Sequence, residues 1–131
     1  MPTVTIDSNL TDPFLRRRLA RRLTLALGKS GISVGRVAIR WRSMDRPDVF
    51  TGPLSLDDRE PDGDAYFAFI SVEIDHNRDR EWRSSLLETL YELCSDFFRD
   101  RQLFLRLEPV DPNDYRNAVH HPQALNVEAH Q

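Results

Sequence analysis

The residues of this chain whose types and placement could do chemistry are Pro2, whose terminal amine could move a proton, and Arg36, His76 and Arg78, whose cationic side chains could surround it. If Met1 is removed, Pro2 becomes the terminus, and its nitrogen is a secondary amine on a rigid ring. Such an amine can shuttle a proton without help from a side chain. Ringed by cations and apolar walls, its protonated form is disfavoured, which lowers its pKa from the roughly 8 of an ordinary α-amino group. That suits a general base near neutral pH. Each residue also has a plainer reading. Met-Pro starts occur by chance, Arg78 can simply solvate a helix start, Arg36 can be an exposed residue at a strand start, and His76 can be a surface residue.

The elements that must position these groups are legible. Thr3 to Asp7 alternate as a short strand. Thr11-Asp12-Pro13 reads as a capping residue, an acid in the first turn and a proline whose missing N–H costs nothing. Leu15, Leu19, Leu23, Ala26 and Leu27 follow at helical spacing, and Gly28 and Gly31 end the helix. Val37, Ile39 and Trp41 alternate with Ala38, Arg40 and Arg42 as a second strand. Residues 44–64, rich in Pro, Gly and Asp, predict a long loop with a small hairpin at Val49-Phe50-Thr51-Gly52; loops of that length are usually functional or mobile.

A second unit repeats the order. Ala65 to Ile74 is nearly continuously apolar and predicts a central strand. Asp79 caps a helix whose stripe is Trp82, Leu86, Leu87, Leu90, Tyr91, Cys94, Phe97 and Phe98. Leu103, Leu105 and Leu107 make the last strand. The halves match in length, with Phe14 aligned to Trp82, Leu19 to Leu87 and Leu25 to Leu93. The fold class is therefore α+β: duplicated β-α-β units, about 2–43 and 65–110, form a four-stranded mixed sheet with two helices on one face. One domain over 1–118 and a tail over 119–131 follow. The other sheet face would be bare and apolar, so an oligomer is expected. Parallel strands 1 and 2 begin at one sheet edge. If strand 3 runs antiparallel beside strand 1, Pro2, Arg36, His76 and Arg78 converge there.

Composition narrows the function classes. The chain has 131 residues, a net charge of −3, 40% apolar and 30% charged residues. That is a globular domain and no general nucleic-acid binder; the Arg16-Arg17-Arg18 run with Arg21 and Arg22 reads as a solvated helix face, without interleaved aromatics. No apolar run approaches the roughly 20 residues of a membrane span, and no signal-peptide pattern is present, so a cytoplasmic protein without membrane association is expected. The single Cys94 excludes an internal disulfide and reads as core. His120-His121 has no metal-site spacing. No phosphate loop or serine-nucleophile motif occurs, and neither metal nor cofactor is implied.

Pro2, the Asp48-Val49-Phe50-Thr51-Gly52 hairpin, Asn77-Arg78-Asp79 at the second helix and Asp114-Tyr115 after the last strand resemble, in order and spacing, the tautomerase superfamily. The likeness is nearest to its malonate semialdehyde decarboxylase and cis-3-chloroacrylic acid dehalogenase-like members and runs to about Pro122. It implies a cofactor-independent homotrimer acting on a small 2-oxo or unsaturated carboxylic acid. Pro2 would be the acid/base, Arg78 the carboxylate clamp, and Arg36 the group that polarises the substrate carbonyl. Phe50 and Tyr115 would supply apolar wall, with His76 and Arg106 as further substrate contacts. The chain departs from the pattern too. The decarboxylase has an Asp where Arg36 stands, and the dehalogenase has a His at Leu27 and a Tyr at Arg106. Both have a second arginine just before Arg78, where this chain has Asp75 and His76. Arg36 favours keto–enol tautomerisation; decarboxylase, hydratase or dehalogenase chemistry, and a non-catalytic ferredoxin-like binding module, are the alternatives.

Overall fold

The computed structural model describes residues 3–59, 65–98 and 102–114. Pro2, Tyr115 and the tail lie outside the described residues. The chain runs β1 (Thr3–Ser8), α1 (Pro13–Lys29), β2 (Ala38–Ser43), β3 (Phe50–Thr51), β4 (Leu54–Ser55), α2 (Leu56–Arg59), β5 (Ala68–Asp75), α3 (Arg80–Cys94) and β6 (Leu103–Val110). Four strands form one mixed sheet in the order β2-β1-β5-β6. The outer pairs are parallel and the central pair, β1 with β5, is antiparallel. Both parallel pairs join residues 35 positions apart, Thr3 to Ala38 and Ala68 to Leu103. The internal duplication is therefore carried by the hydrogen-bonded register itself.

One sheet face packs on the two long helices. Val4, Ile6, Ile70 and Val72 meet Leu19, Leu23 and Leu27 of α1 and Leu86, Leu90 and Cys94 of α3 in one core. Fully burying a Leu or Ile of this kind stabilises by roughly 1.5–3 kcal/mol. These positions correct the alignment of the halves. The N-cap of α1 is Asp12, not Thr11, and its side chain accepts from the Phe14 N–H; Asp79 caps α3 and accepts from the Trp82 N–H. Aligning the caps sets Leu15 against Trp82, Leu19 against Leu86, Leu23 against Leu90 and Leu27 against Cys94. The alignment one residue away pairs positions that leave the core, such as Phe14, 69% exposed, and Leu25, 57% exposed. Phe97 and Phe98 lie beyond the end of α3, in the turn that follows it.

Two further expectations change. The apolar run before Ile74 is an alternating strand: Ala68, Ile70, Val72 and Ile74 are buried, while Phe69, Ser71 and Glu73 face the other way. The sheet face that no described helix covers is consequently largely polar. Arg42 forks onto Asp7 at 2.5 and 2.9 Å, Arg106 pairs with Glu108 at 2.6 Å, and Ser71 donates to Glu108. Its apolar part is the Phe69–Phe104 stack, with centroids 4.4 Å apart.

The described part of the segment after β2, residues 44–59, is also built into short elements and is not an open loop. The expected hairpin is present as β3 and β4, followed by α2. It carries its own small core of Val49, Leu56 and Phe67. Arg46, 4% exposed, pins it through Asp57, Gln102 and the carbonyls of Leu56 and Ala65.

Candidate functional site

The antiparallel β1–β5 pairing brings the start of β1, the start of β2 and the end of β5 to one sheet edge. Two connections meet there. The first leaves α1 at Ser30 and turns at Gly31, whose φ of 95° favours a residue without a Cβ. It passes Gly28 so closely that a Cβ would sit 2.7 Å from Val34 Cγ1. A single 3-10 turn, Val34–Arg36, then delivers Arg36 at the foot of β2.

The second connection is tighter. The Asp75 carboxylate accepts from the Asn77 N–H at 2.9 Å, and the Arg78 N–H donates to the Asp75 carbonyl at 3.1 Å. This turn ends at Asp79, and α3 begins with Trp82 in its first turn. The Trp82 indole N–H donates to the Ser30 carbonyl at 3.0 Å, which ties the two connections together. The Arg78 guanidinium lies over the Trp82 ring, 4.3 Å from its centroid.

Between them is a crevice of about 200 Å³, walled by Ile32, Ser33 and Arg36 on one side and Ile74, Asp75, Arg78 and Trp82 on the other. Arg36 and Arg78, 42 positions apart in sequence, thus share one cleft. Among the described residues neither guanidinium has an ion-pair partner. A guanidinium is permanently cationic and has donors shaped for a carboxylate, so the crevice suits a small organic acid. Asp75 is held below the usual carboxylate range, first by the Asn77 N–H and then by the charges of His76 and Arg78, against some opposing burial.

A larger hollow of about 1430 Å³ spans the uncovered sheet face and the β6 edge. Its size does not make it the better site. Arg42 and Arg106 within it already hold carboxylates, Asp7 and Glu108.

The residues expected at the site divide accordingly. Arg36 and Arg78 come together. His76 stands beside the crevice, its Nδ1 3.4 Å from Asp75 and its N–H on the Val110 carbonyl. Arg106 lies mid-strand on the uncovered face, opposite Ser71. Phe50 sits on the hairpin beyond the other end of β1, roughly 20 Å away at about 3.3 Å per strand residue. Within one chain neither reaches the crevice. Pro2 and Tyr115 lie outside the described residues; Thr3, the residue after Pro2, pairs with Ala38, two positions past Arg36. Trp82 and Asp75 are crevice residues that the sequence reading assigned to the core stripe and to a departure from pattern. Among the described residues no group of three His, Cys, Asp or Glu could hold a metal.

No family model and no curated protein matches the sequence. Solved structures match the fold closely. Native fused 4-OT superposes with a TM-score of 0.75 over 95% of this chain and 98% of its own, at 18% identity. N1, a member of the cis-3-chloroacrylic acid dehalogenase family, gives 0.76 over 88% of this chain and 80% of its own, at 13% identity. The macrophage migration inhibitory factor of Toxoplasma gondii gives 0.67 over 88% and 96%, at 12% identity. The chain has the fold of the tautomerase superfamily. At these identities the likeness is one of fold, and it agrees with the resemblance carried by the sequence motifs. Among the described residues no helix of this tautomerase-fold chain is long and apolar enough to cross a membrane.

Proposed function

We propose that this chain is a cofactor-independent tautomerase-like enzyme acting on a small 2-oxo or unsaturated carboxylic acid. The juxtaposition of Arg36 and Arg78 in one crevice, at the sheet edge where β1 begins, is the observation that carries this reading. With Met1 removed, the Pro2 amine accepts the enol hydroxyl proton of the substrate and delivers it to the adjacent carbon, converting enol to ketone. Arg78, steadied on Trp82, holds the carboxylate, and Arg36 stabilises the charge that develops on the enolate oxygen. Neighbouring cations disfavour the protonated amine and keep it available as a base.

The working unit in this reading is a homotrimer; fused 4-OT has been solved as symmetric and as asymmetric trimers. Phe50, Tyr115 and Arg106 take part only as wall or contacts completed by that assembly, and His76 lies at the crevice rim. Decarboxylation and hydration use the same groups with the amine protonated, and they form the second tier of substrates to screen.

The deciding experiment is phenylpyruvate enol–keto conversion by the wild type and by Pro2→Ala, with intact mass confirming loss of Met1. Activity that falls at least a hundredfold with the proline is expected. Equal activity in both proteins, or a retained Met1, which makes the proline nitrogen an amide, would remove the catalytic amine.

A further inference from the structure

The crevice that holds two arginines also holds a carboxylate, and that combination sets which acids it accepts. Asp75 closes β5, and its carboxylate is fixed in place by the Asn77 N–H at 2.9 Å with His76 Nδ1 at 3.4 Å. It lines the same walls as Arg36 and Arg78. Its protonation is disfavoured by that N–H and by the neighbouring cations, so it is ionised at neutral pH. Two guanidiniums and one carboxylate leave a single excess positive charge among the crevice's described side chains.

We infer that Asp75 is a specificity-determining residue that restricts the crevice to monocarboxylates and rejects dicarboxylates of the same chain length. The inference rests on the carboxylate-binding reading of Arg36 and Arg78 given above. A monoanion matches the excess charge. A dianion brings one negative charge too many, and in a space of about 200 Å³ its second carboxylate cannot move far from Asp75. Two like charges about 6 Å apart at a partly exposed site repel by an amount that corresponds to roughly tenfold in affinity. Size and apolar lining alone would not produce that discrimination.

The test uses the two tryptophans, Trp41 and Trp82. Trp41 lies on β2 under Arg16, away from the crevice, so Trp41→Phe leaves Trp82 as the sole tryptophan, on the crevice wall and excited selectively over the three tyrosines at the red edge of the absorption band. Binding of 2-oxopentanoate and of 2-oxopentanedioate, five-carbon acids that differ by one terminal carboxylate, is followed by Trp82 fluorescence at low salt. The comparison protein adds Asp75→Asn, which keeps an oxygen to accept from the Asn77 N–H and removes the charge. Preference for the monoacid in the parent, and a shift of about tenfold towards the diacid in the Asn variant, are expected. The shift should shrink at high salt as screening sets in.

An unchanged ratio, with the monoacid bound by both proteins, overturns the role of Asp75 while the arginine crevice stands. Binding of neither acid overturns the inference together with the crevice as a carboxylate site. A shifted ratio in a protein that turns nothing over upholds the inference and removes only the proline chemistry.

Discussion

The Arg78 guanidinium rests on the face of Trp82, 4.3 Å from the ring centroid, while the same indole donates its N–H to the Ser30 carbonyl. One side chain thus fixes an arginine of the second β-α-β unit and anchors the connection of the first unit that carries Arg36. Trp82→Phe keeps a ring under Arg78 and loses the indole hydrogen bond, which contributes about 1 kcal/mol. Trp82→Leu also removes the cation–π contact, a further 0.5–1 kcal/mol. Urea denaturation should rank the proteins wild type, Phe, Leu. If Trp82 positions Arg78 for a carboxylate, the Leu variant should raise KM more than it lowers kcat, and the Phe variant should restore most of the KM.

A second prediction concerns Arg46. Its guanidinium is buried and bonded to Asp57, Gln102 and two carbonyls, tying the β3–β4 hairpin and α2 to the far end of the sheet. Arg46→Ala strands several buried acceptors at once. A loss of about 3 kcal/mol is expected, because removing one partner of a buried charged network leaves the others desolvated and unpaired. Denaturant unfolding measures it, and limited proteolysis should show new cleavage between residues 44 and 59. Equal stability of the Ala variant would mean that the hairpin is held by Val49, Leu56 and Phe67 alone.

Much of this architecture is written in local pattern. The stripe of Leu19, Leu23 and Leu27 and its counterpart Leu86, Leu90 and Cys94 place both helices, and their caps date the repeat to the residue. The cap of α1 is ambiguous from sequence because Thr11 and Asp12 both have capping side chains. Pro13, which tolerates the first helical position, selects Asp12. The polar nature of the uncovered face is hidden because Phe69 interrupts the alternation of β5 with an apolar residue on the outer side. Arg46 is illegible for a different reason: its partners lie 10 to 56 positions away, and no periodicity encodes such contacts. In the site, strand order alone sufficed to bring Arg36 and Arg78 together. Trp82 was recoverable in principle, since an N-cap at Asp79 puts Arg78 just outside the helix and Trp82 three residues inside it. Phe50 and Arg106 are drawn to the site by motif and not by topology, and within one chain topology separates them from it.

Cys94 supplies a third prediction. It is fully buried on α3, and burial pushes its thiol up from 9.0 to about 12, against an opposing pull from the charge of Arg22. The native protein should not react with Ellman's reagent at pH 8, and one thiol should appear on denaturation. A raised folded pKa means that the unfolded state releases its proton first as pH rises. The stabilising contribution is therefore complete below pH 9 and lost between pH 9 and about 12. Cys94→Ala should flatten that part of the alkaline stability curve. Rapid labelling of the folded protein would contradict the buried placement.

The last prediction follows Asp75 to low pH. Its carboxyl is held below its ordinary value, foremost by the Asn77 N–H and then by His76 and Arg78. A depressed folded pKa means that the unfolded chain binds the proton first as the solution is acidified. Stability from this turn is present above the ordinary value of 3.8 and is lost as pH falls through the lower folded value. Asp75→Asn keeps the oxygen that accepts from Asn77 and cannot titrate, so the difference in stability between wild type and variant should change with pH only in the acid region. Denaturant midpoints at pH 3, 4, 5 and 7 would measure it. A gap constant from pH 7 to pH 3 would mean that the charge of Asp75 is not felt by the turn. The carboxylate would still be ionised at neutral pH, so that outcome would remove its stabilising role in the turn and leave the crevice's preference for monoanions to the binding test.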